Sequence, residues 1–402
     1  MSESPEPRVA PRTLAGATIL QIIPALREEP LARTAVDVAH ALLQSGARAL
    51  IAADGGPLVN EVSAAGAEWI PLVTATANPF RLRRNARAIE QLIAFERVDI
   101  VHAHGPEAAW SARVAAAQIA VWLVTTLPDV PAKPTGFRGL YAGALAQGDR
   151  IIAPSNYAAV PIIKRYRVSP EQITIIPRSI DTAAYHPRAV AAERVSALRD
   201  EWQIAPDEQI VLVPGRVAPW NGQMIVPQTV RMLVDYGLRG VSFVIVGENR
   251  RHARYARAVL ARAKEQGVEA LFRFTGHCPD MPAAFAAANI VAVTALEPPV
   301  LGRVVAQAQA MGRPVVTTDA GVLPEHVVTP PDLPEDLRTG WVTAAGDPTD
   351  FARALARGLA LDATAYRAMS ARARQFAEYM FSPESVAAAT RAVYTSLLAR
   401  DL

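Results

Sequence analysis

Three groups of residues in this sequence have the types and spacings that chemistry requires. Val300, Leu301 and Gly302 stand where a short β-branched run over 290–294 gives way to a helix, which Gly312 closes. The first N–H groups of a helix have no internal partner, so a loop that delivers them to a strand end is a natural anion site. A second group is Arg216-Val-Ala-Pro-Trp-Asn-Gly222, directly after an apolar run. Both side chains donate hydrogen bonds, the guanidinium of Arg216 with a charge and the amide of Asn221 without one. His102 and His104 form the third group, at alternate positions of one run and therefore on one face of a strand. A metal pair is one reading of them. No nearby cysteine or carboxylate completes a tetrahedral set, which favours ordinary structural histidines.

Weaker signals surround these. His277 and Cys278 follow another strand end, where a loop role is favoured over thiol chemistry. Arg81, Arg83, Arg84 and Arg87 make one face of a helix basic, and Arg250, Arg251, Arg254 and Arg257 do the same further on. A charge run of this kind is usually a solvated face; the other reading is contact with an anionic membrane.

The elements that must position these groups follow from hydrophobic periodicity. Strands are predicted over 18–23, 49–53, 69–73, 99–104, 121–126 and 150–153, with helices over 31–45, 79–96 and 107–117. A second set of strands is predicted over 209–216, 242–246, 271–275, 290–294 and 315–318, again with helices between, and the tail from Asp347 reads as helical. Strand and helix alternate throughout, the pattern of a parallel sheet covered on both faces. With 402 residues the chain exceeds one core, so the expectation is α/β, two doubly wound Rossmann-like domains facing across a cleft. The expected boundaries are a disordered leader over 1–16, one domain over 17–186, a linker over 187–204, a second domain over 205–380 and a closing helix over 381–402 that packs back toward the first domain.

Composition bounds the function. The formal net charge is only +3, although abundant arginine lifts the isoelectric point to 9.1. That balance, with no zinc-finger or RNP-type pattern, gives no case for nucleic acid. Cys278 is the only cysteine, so no internal disulfide can form and a reducing compartment is expected. The start of the chain lacks an apolar core of signal-peptide length, and no apolar run approaches the roughly 20 residues that span a bilayer. A cytoplasmic protein, with at most peripheral contact with a membrane, is the expectation.

Several fragments, taken together and in order, resemble the family 4 glycosyltransferases of the GT-B fold. They are Asp99-Ile-Val-His-Ala-His104, Ser155-Asn156, Ile176-Pro-Arg-Ser-Ile-Asp181, Val213-Pro-Gly-Arg216, Gly276-His277, the stretch 302–314 and Thr339-Gly-Trp341. The resemblance runs from about residue 18 to residue 398 and is nearest to bacterial enzymes that build lipopolysaccharide or other surface glycans. It implies a retaining transferase with no obligatory metal or other cofactor. The donor would be a nucleotide-diphosphate sugar held mostly by the second domain. The acceptor, lipid-linked or glycan, would be held by the first.

Residue by residue, the resemblance implies a depleted donor site. Arg216 stands where the family has its arginine, but Asn221 replaces a lysine. Losing one charge-assisted contact costs roughly 1.5–3 kcal/mol, about a tenfold to hundredfold loss of affinity. Pro299 replaces a glutamate that bonds sugar hydroxyls, with Glu297 nearby as a substitute if the loop shifts. Gln307 replaces a second glutamate, which grips the ribose; it keeps one weaker contact or simply faces a polar cleft. The amides of Val300, Leu301 and Gly302 remain, and His277 falls where the family meets the nucleobase. In the first domain Glu29 and Pro30 fill a Gly-Gly pair, and the carboxylates of Glu28 and Glu29 would repel a diphosphate unless Arg27 or Arg33 pairs with them. Pro128 takes the place of a histidine that points at the reacting sugar. Asp129 follows it, more as a turn former than as a group acting on the acceptor proton. No residue is therefore assigned a catalytic role, and Pro128, Asp129 and Pro299 stand at the degenerate positions. The resemblance leaves two expectations: a weakly active transferase, or an inactive relative that binds a glycan or an active homologous subunit.

Overall fold

The computed structural model describes residues 13–27, 29–76, 78–128, 141–248, 250–298, 302–331 and 334–400. Most of the expected leader lies outside them, as do Glu28, Asp129, Pro299, Val300 and Leu301. The chain divides into two compact units, Met1–Ser179 with Pro383–Leu402, and Ile180–Ser382.

The first unit is a parallel sheet of β1 (Thr18–Ala25), β2 (Arg48–Asp54), β3 (Glu68–Pro71), β4 (Ile100–His104), β5 (Trp122–Thr126), β6 (Arg150–Ala153) and β7 (Ile173–Ile175). Their order is β3-β2-β1-β4-β5-β6-β7. Such strands read as unbroken apolar runs because both faces are covered. The period of two survives in which core each side chain joins. Ile19, Ile23 and Ile51 pack with the helices Pro30–Gln44 and Pro383–Leu398, while Leu20, Ile22 and Leu50 pack with Pro79–Glu96 and Pro106–Ala116. Tyr394 and Leu397 of the terminal helix are fully buried, so the last turns of the chain close this core.

In the second unit β8 (Gln209–Pro214), β9 (Val241–Val246), β10 (Phe272–Gly276), β11 (Ile290–Val293), β12 (Val315–Thr318) and β13 (Gly340–Thr343) form a second parallel sheet. Its order is β10-β9-β8-β11-β12-β13. The stretch 187–204, expected as a linker, belongs to this unit instead. It contains the helix Ala192–Glu201, and Leu198, Trp202 and Ile204 are buried against Phe285, Ile210 and Leu212. Its polar composition reflects a helix that hides one side only.

Local signals explain where helices start. Asn78 caps Pro79–Glu96 by accepting from the amides of Phe80 and Arg81, with Pro79 at the first helical position. Arg97 then ends it in the left-handed conformation. Asp347 and Asp362 cap the helices Pro348–Leu359 and Ala363–Phe381 in the same manner.

Candidate functional site

Each sheet changes the direction of its strand order once, between β1 and β4 and between β8 and β11. Ligands of open α/β sheets bind outside the carboxyl ends of the strands at such points. In the second unit this brings the loop after β8 beside the segment after β11.

The loop after β8 is tightly strapped. The carbonyl of Arg216 accepts from Asn221 Nδ2 at 2.6 Å and from Gln223 Nε2 at 3.0 Å. Thr294, at the end of β11, donates its hydroxyl to the Asn221 carbonyl at 2.7 Å, and the amides of Leu296 and Glu297 both bond the Trp220 carbonyl. Gly222 sits at φ +68°, and a Cβ there would lie 1.9 Å from the Thr294 carbonyl oxygen, so only glycine fits this approach. Asn221 and Gln223 are buried, whereas Arg216 is exposed. The amide expected to face a phosphate is thus spent inside the loop. Among the described residues the Arg216 guanidinium has no hydrogen-bond partner, leaving its donors available.

The helix expected after β11 is present as Gly302–Ala310. A side chain at Gly302 would lie 2.7 Å from His326 Cε1, and His326 Nδ1 is 2.9 Å from the Gly302 carbonyl. Gln309 donates to the His326 carbonyl, fixing that turn against the helix. Gln307 is half-buried and shares a hydrogen bond with the hydroxyl of Tyr185. Arg303 lies one turn earlier on the same face. Burial raises the Tyr185 hydroxyl above its ordinary range, and the nearby Arg303 charge opposes that rise. Tyr185, Arg303 and His326 are side chains the sequence reading did not single out. Arg303 was findable, four positions before Gln307; Tyr185 and His326 arrive by long-range folding and carry no local signal.

On the other side of β8, β9 and β10 end at Gly247 and Gly276. A Cβ at Gly247 would lie 2.0 Å from the Gly215 carbonyl oxygen, so the backbones converge here. His277 is exposed and, with Glu248, Arg250 and Gly276, lines a pocket of about 490 Å³. Cys278 is buried, and burial raises its thiol above the ordinary range, which agrees with a loop role. Among the described residues, no group of three His, Cys, Asp or Glu side chains could hold a metal ion.

At the matching edge of the first unit, Pro128 is half-buried after β5 and Glu29 is exposed at the start of its helix. Arg33, one candidate partner for the loop carboxylates, bonds Glu61 through one nitrogen at 2.6 and 2.8 Å. His102 is a structural histidine: its Nδ1 meets the Tyr394 hydroxyl and its Nε2 the Thr126 hydroxyl, both at 2.6 Å. His104, 4.0 Å away between ring centroids, has no hydrogen-bond partner at either nitrogen.

Comparison with known proteins converges on one family. A profile described as Glycosyltransferase Family 4 matches residues 31–184, and one described as Glycosyl transferases group 1 matches residues 208–360. Among curated relatives, the D-inositol 3-phosphate glycosyltransferase of Saccharomonospora viridis is 27% identical over 240 residues, 58% of this chain and 52% of the relative. That of Segniliparus rotundus is 28% identical over 185 residues, 46% of this chain and 40% of the relative. The chain therefore spans about half the length of the curated relatives it matches. Among solved structures, a glycosyltransferase from Rickettsia africae superposes with a TM-score of 0.80 at 22% identity, covering 96% of this chain and 100% of that one. Anabaena Alr3699/HepE in complex with UDP gives 0.73 at 19% identity, covering 95% and 100%. WaaG, a glycosyltransferase involved in lipopolysaccharide biosynthesis, gives 0.59 at 16% identity, covering 92% and 98%. At these identities the likeness speaks for the fold.

Proposed function

Because the chain belongs to the family 4 glycosyltransferases of the GT-B fold, we propose that it binds a nucleotide-diphosphate sugar on its second unit with a grip too weak for ordinary turnover. The setting would be cell-envelope glycan synthesis in the cytoplasm, with a lipid-linked or glycan acceptor. The observation that carries this reading is Asn221, whose amide is committed to the Arg216 carbonyl where a second cation would meet the diphosphate. Arg216, the first amides of the helix from Gly302, and Gln307 remain as donor contacts, with His277 toward the base. One charge-assisted contact in place of two lowers affinity by about tenfold to hundredfold. Solved neighbours bind UDP and UDP-glucose, which makes uridine diphosphate the first ligand to try. Calorimetric titration with uridine and guanosine diphosphates tests the reading: weak saturable binding of one of them is expected. No binding of either, in a chain that stays folded, would sink it.

A second reading, an inactive subunit that partners an active homologue or holds a glycan, is favoured by two substitutions. Pro299 and Pro128 stand where the family resemblance calls for a glutamate and a histidine, and neither proline side chain can exchange a proton. Co-purification with a homologue that carries both the glutamate and the histidine would support this reading.

The membrane contact has its own support. Arg81, Arg83, Arg84 and Arg87 are all exposed on one helix, and Phe80 beside them is 80% exposed. Among the described residues none of the four arginines is in an ion pair, and no described helix is long and apolar enough to cross a membrane. Binding to vesicles rich in anionic lipid should be salt-sensitive and fall at least tenfold when the four arginines become glutamate, each basic residue contributing about 1 kcal/mol. Equal sedimentation of native and substituted chains with those vesicles would remove the membrane from the proposal.

A further inference from the structure

β9 and β10 end side by side, and the Gly247 amide bonds the Gly276 carbonyl at 2.7 Å. Beyond them lies the pocket of about 490 Å³ lined by Glu248, Arg250, Gly276 and His277, a size that suits a small molecule. It adjoins the Arg216 loop, because the amide of Val217 bonds the Glu248 carbonyl at 3.1 Å. Gly276 lies at φ +70°, and a Cβ there would meet nothing within 4 Å, so bare backbone borders open space. A flat ring can approach such backbone closely.

The chemistry of the lining narrows what that ring can be. Glu248 brings the pocket its carboxylate and Arg250 its guanidinium, two positions apart after β9 and both exposed. Among the described residues neither side chain is in a hydrogen bond or an ion pair. An ionised carboxylate only accepts and takes two parallel donors best; a guanidinium only donates and takes two adjacent acceptors best. A ligand that satisfies both offers two neighbouring N–H groups on one edge and two neighbouring acceptors on the next. Guanine does so: N1–H and the 2-amino group are the donor pair, O6 and N7 the acceptor pair. Uracil has a single N–H between two carbonyl oxygens, so a carboxylate there would face a carbonyl. Adenine and cytosine set a lone amino group beside a ring nitrogen that accepts, with the same conflict.

Resting on the reading that the second unit holds a nucleoside diphosphate, we propose that this pocket selects a guanine base. The Glu248 carboxylate takes N1–H and the 2-amino group, and the Arg250 guanidinium takes O6 and N7. The donor class is then a guanosine-diphosphate sugar. His277 lines the same pocket, but an imidazole packs against the face of any base. Selection therefore sits on the two residues after β9 rather than on the residue after β10 to which the family resemblance points.

Calorimetric titration of the full chain at neutral pH with guanosine, uridine, adenosine and inosine diphosphates tests this. The guanosine ligand should bind at least about tenfold tighter than the uridine or adenosine one. Inosine diphosphate lacks only the 2-amino group and should bind about tenfold more weakly than guanosine diphosphate. Glu248→Gln should erase that inosine penalty, whereas Arg250→Gln, which acts on O6 and N7, should weaken both ligands and keep it. Both residues are exposed, so both variants are expected to fold. Uridine or adenosine diphosphate bound as tightly as guanosine diphosphate, or an inosine penalty that survives Glu248→Gln, overturns the proposal and leaves the nucleotide reading standing. No binding of any of the four overturns that reading and the proposal with it.

Discussion

An Asp37→Asn chain loses at least about 2 kcal/mol of stability in its first unit between pH 7 and pH 5. The loss comes from His102 and His104. Burial, with the Arg178 charge, holds His102 down to about 3, and His104 lies well below its usual 6.5. Both rings are neutral in the folded chain throughout this range, whereas in the unfolded chain they take up protons near 6.5. Their contribution is therefore complete above pH 6.5 and is lost as the pH falls below it, His102 giving up about 2 kcal/mol between pH 7 and 5 and His104 losing stability in the same direction. Asp37 works the other way in the native chain. Chiefly through burial, against the pull of His40 and Arg33, its carboxyl is raised to about 6 from 3.8. It opposes folding when ionised, and that opposition fades as the pH drops below 6. Asp37→Asn removes the opposing arm, so the variant starts more stable at pH 7 and declines more steeply. Urea unfolding at several pH values reads both slopes. A flat profile in the variant would mean that the imidazoles take up protons without leaving the fold.

Combining Asn221→Lys with Pro299→Glu and Gln307→Glu raises affinity for the matching nucleotide sugar by about a hundredfold or more and brings transfer or hydrolysis into a measurable range. The loop tolerates the first change because the Arg216 carbonyl keeps its bond from Gln223 Nε2 when the Asn221 amide is gone. The new ammonium is then free to reach the diphosphate and the charge that develops on the leaving group. At position 307 a carboxylate arrives beside Arg303 and the Tyr185 hydroxyl, an environment that favours its ionised form. The gains need not add, since all three changes act on one ligand. Rates for the native and restored chains, measured with a panel of nucleotide sugars, decide the matter. If the native chain already turns over as fast as the restored one, the inactive-subunit reading falls.

The framework was legible because burial on both faces leaves an unmistakable trace. β6 (Arg150–Ala153), β12 (Val315–Thr318) and the helix Pro79–Glu96 fall where their apolar runs and caps place them, within a residue or two elsewhere. What escaped were β7 and β13, short strands at the sheet edges, and the packing into the second unit of the helical stretch that holds Ala192–Glu201, whose single buried stripe lies among charged residues. The site divides along another line. Arg216, His277 and Gly302 stand where strand ends put them. The Asn221 side chain could not be read in advance, because its direction is set by a carbonyl five residues earlier, while its own carbonyl is held by a threonine at the end of another strand. The partners of His102 lie in β5 and the terminal helix, contacts that no local pattern announces.

The Ile180 amide bonds the Phe381 carbonyl at 2.8 Å, so the second unit enters and leaves through adjoining points and amounts to an insertion in the first. A ribosome making this protein has joined every residue of the inserted unit before it adds the helix that seals the host. Synthesis thus inverts the usual order: the middle of the gene product can mature while its beginning waits, open along the surface that Tyr394 will cover.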